Sequence, residues 1–121
     1  LSGLMEEHPE LKIQLFHGGG HLPYQIGRLD RAYEMRLETS KKISMKPSEY
    51  LKMFYFDTIV HSGEALEYLI NLVGAEQVML GSDYPFDMGS YKLVDMVDKI
   101  NINEEDKKKI KSENAERLFQ V

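Results

Sequence analysis

Leu11-Lys12-Ile13-Gln14-Leu15-Phe16-His17-Gly18-Gly19-Gly20 is the stretch whose reading decides the fold. Residues 11–16 alternate apolar and polar and then become continuously apolar, which predicts a short strand more deeply buried toward its end. His17 stands at the carboxyl end of that strand. The three glycines after it let the backbone turn sharply and leave room beside the imidazole for a ligand or metal. A histidine beside a glycine turn is more often a structural residue than a catalyst, so a second element of the same kind is required.

Gln77-Val78-Met79-Leu80-Gly81-Ser82-Asp83-Tyr84-Pro85-Phe86 supplies one. It is again a short apolar strand, and Asp83 occupies the place after it that His17 holds after the first. Pro85 biases Tyr84 toward extended geometry, so helix cannot resume at once and the carboxylate lies on a shaped loop. An aspartate here could also close a local turn. Two polar residues at two strand ends together favour a site at the carboxyl ends of the strands, where open α/β proteins bind their ligands.

The rest of the chain fits around these two junctions. Residues 1–7 read as the end of a helix closed by His8-Pro9. Leu22, Ile26, Leu29 and Tyr33 recur at helical spacing over 22–37, residues 38–47 read as a loop, and 48–53 as a short helix. Tyr55-Phe56-Asp57-Thr58-Ile59-Val60 is aromatic and β-branched, hence a strand. Leu66, Leu69, Ile70 and Val73 mark a helix ended by Gly74; Leu93, Met96, Val97 and Ile100 mark another. Asn103 caps a final helix carrying Ile110, Ala115, Leu118 and Phe119. The order is helix, strand, helix, strand, helix, strand, helix, helix, which is parallel α/β architecture. Three strands cannot close a barrel, and an eight-stranded one takes about 250 residues. The chain is therefore a small open sheet or part of something larger.

At 121 residues, 42% of them hydrophobic, the chain suffices for one domain with a real core. The net charge of −5 and the lack of a basic stripe argue against a nucleic-acid partner. Glu104-Glu105-Asp106 before Lys107-Lys108-Lys109 reads as a solvated helix with acids in its first turn. There is no cysteine, so thiolate chemistry and a disulfide framework are excluded, which suits a reducing compartment such as the cytoplasm. No run reaches the roughly 18 apolar residues of a membrane span, so no membrane partner is expected. A start at leucine suggests a fragment or a processed product.

His17-Gly-Gly-Gly, Gly27-Arg28-Leu29-Asp30, Ser48-Glu49-Tyr50, Gly81-Ser82-Asp83-Tyr84-Pro85-Phe86 and Asn114-Ala115-Glu116-Arg117-Leu118-Phe119, in that order, resemble the C-terminal part of the amidohydrolase-related metalloenzymes. The resemblance implies that residues 1–121 are one partial domain, strands six to eight of a (β/α)8 TIM barrel. It also implies a divalent metal, usually zinc, at the carboxyl ends of the strands. His17 then matches the catalytic histidine near the metal's water, and Asp83 matches a metal ligand. Arg28 and Arg36 match arginines that grip substrate carboxylates in the family's decarboxylases, one reaching into a neighbouring subunit, so a homo-oligomer, a dimer, is implied. On a continuous helix they would stand about 80° apart. The family's His-x-His pair and its third ligand histidine have no counterpart in this chain.

Three readings follow. The first is a metal-dependent decarboxylase of a small carboxylated substrate, with His17 handling the proton. The second is a metal-dependent hydrolase of an amide or ester, which would use the same residues. The third, from another class, is a noncatalytic α/β module or truncation product. The chain alone is expected to be inactive and to self-associate through unpaired strand edges. Other polar residues read as structural: His21 as a helix-start or loop residue, His8 beside Pro9 at the opposite end of the first strand, and Asp57 as a hydrogen-bonded strand residue. His61, ending the second strand, could touch substrate at the rim.

Overall fold

The computed structural model describes residues 2–121, with only the backbone described at 39 and 40; Leu1 lies outside the described residues. Three parallel strands, β1 (Gln14–Leu15), β2 (Tyr55–Asp57) and β3 (Val78–Met79), form one sheet in sequence order. Leu15, Phe56 and Val78 lie in register across it. Successive strand residues point to opposite faces, so this row shares one face and packs into the main core. The other face carries Gln14, Tyr55, Asp57 and Met79.

Helices cover the first face. α2 (Leu22–Met35) contributes Ile26; α5 (Gly63–Val73) contributes Leu66, Leu69, Ile70 and Val73; α6 (Leu93–Lys99) contributes Val97. Phe56, Leu66, Val78 and Val97 are wholly buried at its centre. Short helices α1 (Leu4–Glu7), α3 (Leu37–Ser40) and α4 (Pro47–Leu51) flank β1 and α2. Met5, Ile43 and Tyr50 form a second, smaller cluster there. Among the described residues no helix is long and apolar enough to cross a membrane.

Two motifs of the first half hold each other. Asp30 on α2 accepts the Ser48 N–H at 2.9 Å, capping α4 from outside. Tyr50 accepts the Ser44 and Met45 N–H groups and donates its hydroxyl hydrogen to Glu6. The terminal motif is also structural. Asn114 is fully buried and donates to the Ala75 and Val78 carbonyls at 2.7 Å each, while Arg117 donates to the Glu76 carbonyl.

The expected element order holds, as do both caps. The Gly74 N–H closes α5 onto Ile70, and the Asn103 side chain accepts the Asp106 N–H at the start of α7 (Glu104–Lys108). The bounds differ for local reasons. The strands are shorter than the apolar runs: Phe16 already leads into a 3₁₀ turn over His17–Gly19, and beyond β2 the Val60 N–H folds back onto the Thr58 carbonyl at 2.8 Å. α2 stops at Met35, because Arg36 is extended (φ −124°, ψ 115°); α3 then begins at Leu37, the last residue of the expected helix, and runs into the expected loop. The final helix runs without a break as expected, but a wider π turn over Lys109–Glu113 joins α7 to α8 (Asn114–Phe119). Within that turn the Ile110 carbonyl accepts the Leu80 N–H at 2.9 Å, tying the chain end to the outer side of β3. Lys109 is less solvated than its helix pattern suggests, since it bridges Glu76, Glu105 and Asp106.

Candidate active site

The loops after β1 and β3 bring their polar residues together as expected. His17 Nε2 lies 3.4 Å from Asp83 Oδ1, a long contact in which the imidazole N–H donates when Nε2 carries the proton. The imidazole is largely exposed, whereas the Asp83 side chain is only 16% exposed, so the carboxylate forms the floor of the pair and the ring its mouth. Both residues adopt the left-handed conformation, with φ 56° at His17 and 60° at Asp83. The Asp83 side chain turns toward His17, while its main-chain carbonyl accepts the Phe86 N–H at 2.9 Å. The far end of the loop is closed by the Ser90 N–H on the Ser82 carbonyl at 2.8 Å.

Left-handed geometry costs a non-glycine residue about 1–2 kcal/mol. At His17 the offset comes from Asp57, which is 1% exposed. Its Oδ2 accepts the His17 N–H at 2.9 Å, and its Oδ1 accepts the N–H groups of Gly18 and Ile59 at 2.9 and 3.0 Å. A hydrogen bond to a charged group contributes about 1.5–3 kcal/mol, so the His17 and Gly18 bonds together outweigh the strain. Asp57 is thus the hydrogen-bonded strand residue expected, with its partners on the neighbouring loop. Thr58, the next residue, is fully buried and its hydroxyl accepts the Gly81 N–H at 3.2 Å, on the loop leading to Asp83.

The role of the glycines needs correction. A Cβ on Gly18 would lie 2.4 Å from Val60 Cγ1, and one on Gly19 would lie 2.8 Å from the Phe56 ring. The space is filled by this chain's own core, and only at Gly20 is nothing within 4 Å. Room for a ligand lies on the other side of His17. A cavity of about 380 Å³ opens there between Gln14 of β1, Asp57 of β2 and Ile59 just beyond it, and the aromatic rings of Phe16, Tyr84 and Phe86. Those three rings are strongly exposed. The sequence reading had assigned them no role; their signal is proximity in sequence to His17 and Asp83. A second cavity, about 240 Å³ and walled by residues such as Met5, Ile13, Leu29 and Ile43, has no histidine or carboxylate in its lining.

The other candidates lie elsewhere. Neither Arg28 nor Arg36 lines the His17 cavity. Arg28 is exposed on α2, and Arg36 follows its last residue, so the helical-wheel angle between them does not apply. His61, at φ 52°, borders a groove between α5 and α6 and not this cavity. His21 precedes α2 and tilts against Tyr24, and His8 pairs with Glu10 on the surface.

A carboxylate and an imidazole are donors that divalent metals accept, so the pair suits part of a metal site in kind. It does not complete one. Among the described residues no three histidine, cysteine, aspartate or glutamate side chains converge for a metal.

A parallel βα sheet with polar residues at the carboxyl ends of its strands defines the class, and comparison with known proteins identifies the family. The amidohydrolase family profile matches residues 1–121, and the chain belongs to that family. It is 40% identical over 88 residues to the 2-amino-3-carboxymuconate-6-semialdehyde decarboxylase of Dictyostelium discoideum, a match covering 72% of this chain and 24% of that protein. It is 34% identical over 127 residues to the gamma-resorcylate decarboxylase of Rhizobium sp. strain MTP-10005, covering 99% and 37% of the two chains. Among solved structures, 5-carboxyvanillate decarboxylase from Sphingomonas paucimobilis superposes with a TM-score of 0.88 at 35% identity, covering all of this chain and 37% of that one. The dihydroxybenzoic acid decarboxylase of Polaromonas sp. JS666, solved with bound manganese and 2-nitroresorcinol, superposes with a TM-score of 0.84 at 32% identity, covering 98% and 36%. The fold is accordingly part of the family's (β/α)8 barrel, and the chain spans only 24% to 37% of the length of these relatives.

Proposed function

We infer that this chain is the C-terminal segment, residues 1–121 and strands six to eight, of a metal-dependent decarboxylase acting on a small carboxylated substrate. The observation that carries the reading is the His17–Asp83 pair, 3.4 Å apart across the mouth of a cavity with aromatic walls. The relatives named above are decarboxylases, which favours loss of carbon dioxide over hydrolysis.

In this reading Asp83 offers its carboxylate to a divalent cation, with further donors coming from another segment or chain. When bound, the cation supplies positive charge that steadies negative charge developing on substrate oxygens. The proposed metal is zinc, which accepts carboxylate and imidazole alike, although relatives from Polaromonas and Novosphingobium hold manganese. His17 Nε2 delivers a proton to the carbon that loses its carboxylate: the C–C bond breaks, its electron pair stays on that carbon and takes the proton, and carbon dioxide leaves. An imidazole carries a proton on one ring nitrogen and can take one on the other, which suits it to proton transfer. The rings of Phe16, Tyr84 and Phe86 keep water from one side of the substrate. Arg28 and Arg36 bind substrate carboxylates through their planar forks. Neither borders the His17 cavity of its own chain, and one of them would act across a subunit boundary in a homodimer.

The test is carbon dioxide release, against simple hydrolysis, from a panel of carboxylated aromatic and muconate-like substrates in the protein that carries this chain. His17→Ala should cut release by about 10²–10⁴-fold while keeping the metal, and Asp83→Ala should lose metal as well. Normal turnover in His17→Ala, or hydrolysis without carbon dioxide, would refute the reading.

A further inference from the structure

We propose that Asp57 is a positioning residue: its buried carboxylate fixes the backbone of His17 and thereby sets the distance between the His17 imidazole and Asp83. Along a strand, successive N–H groups point in opposite directions. At His17 and Gly18, with φ 56° and 60°, both turn to the same side and form a small anion cradle of the kind that elsewhere receives a free anion. Here the occupant is Asp57, from a strand some forty residues away in sequence. Its Oδ1 is also held by Ile59, the second residue after it, so the carboxylate cannot swing without breaking its own strand end.

The arrangement is two-sided. Thr58, the next residue, holds Gly81 on the approach to Asp83. Asp57, the last residue of β2, and Thr58, which follows it, therefore grip the loop bearing the imidazole and the loop bearing the carboxylate, and the 3.4 Å spacing is referred to the end of one central strand. A site built on a strand in this way is more precise than one left to its loops. The positioning is independent of the reaction proposed above; only its catalytic consequence rests on that reading.

Asp57→Asn separates positioning from folding. With the amide oxygen kept opposite Gly18 and Ile59, the NH₂ group faces the His17 N–H, donor against donor, so the change falls on His17. In the protein carrying this chain, the His17 amide should exchange with solvent at least tenfold faster in Asp57→Asn, while core amides such as Leu69 keep their protection. Carbon dioxide release should fall at least tenfold in kcat with KM changed less than twofold and metal content unchanged. On a His17→Ala background Asp57→Asn should cost nothing further, because it acts through that side chain. Unchanged exchange at His17 in Asp57→Asn would overturn the proposal. So would a kcat loss that multiplies with that of His17→Ala. Should His17→Ala leave turnover intact, the decarboxylase reading fails, and the exchange measurement still decides the positioning.

Discussion

Replacing Gly18 by alanine is expected to destabilise the protein by about 2–5 kcal/mol without touching an ionisable group. Its φ of +60° charges an L-residue about 1–2 kcal/mol. The added Cβ would stand 2.4 Å from Val60 Cγ1 and 3.6 Å from Leu69 Cδ2, where carbon atoms prefer about 3.5–4.0 Å. Overpacking of this kind costs about 1–3 kcal/mol when the neighbours cannot retreat. Retreat is hindered on both sides: the Gly18 N–H is bound to Asp57, and the Val60 N–H closes a tight turn on Thr58. The loss is a large share of the roughly 5–15 kcal/mol that stabilises a domain. Gly20→Ala separates the packing from the backbone: nothing lies within 4 Å of its added Cβ, so its loss is a backbone cost alone, set by φ 58° and ψ −125° and not by the left-handed φ 60°, ψ 22° of Gly18. Since the chain has no tryptophan, urea unfolding is best followed by far-ultraviolet circular dichroism. Val60→Ala should recover part of the loss in Gly18→Ala and none in Gly20→Ala. A Gly18→Ala protein within about 0.5 kcal/mol of wild type, or no recovery by Val60→Ala, would refute the packing argument.

Two further outcomes follow from the second half of the chain. A hydrogen bond donated by Lys109 holds the Glu76 carboxyl below its ordinary value, and the bonds that Lys109 donates to Glu76, Asp106 and Glu105 raise the lysine above its own. The lowered carboxylate contributes stability above its ordinary pKa near 4.3, lost as pH falls through the lowered value; the raised lysine contributes below about 10.4, lost as pH rises beyond it. The melting difference between wild type and Lys109→Met should therefore hold from about pH 5 to 10, close on acidification, and shrink in high salt; a gap that widened toward pH 3 would sink this account. Asn114→Ala leaves two buried carbonyls, of Ala75 and Val78, without their donor, but it also removes an Oδ1 with no partner among the described residues. A net loss of about 2 kcal/mol is expected in chemical denaturation, and no measurable loss would count against its anchoring role.

Most of the architecture was legible along the chain because it rests on short-range physics. The faces of α5 and α6 follow from apolar spacing, and Leu66, Leu69, Val73 and Val97 are buried as that spacing requires. Gly74 and Asn103 act as caps through bonds to residues three or four positions away. The pairing of His17 with Asp83 was also accessible, since parallel strands in sequence order bring their carboxyl ends side by side. Other features depend on contacts that no local pattern encodes. The cradle around Asp57, the fit of Gly18 against Val60 and the grip of Asn114 on β3 join residues about forty apart, and their chemistry exists only once the sheet has formed. The same holds for Arg36, which periodicity placed on a helix that ends one residue before it. Sequence alone thus determined which residues form the strands, the helix faces and the polar strand ends. Packing decided what those ends are fastened to, because a buried carboxylate or a missing Cβ acquires its role from its neighbours in space.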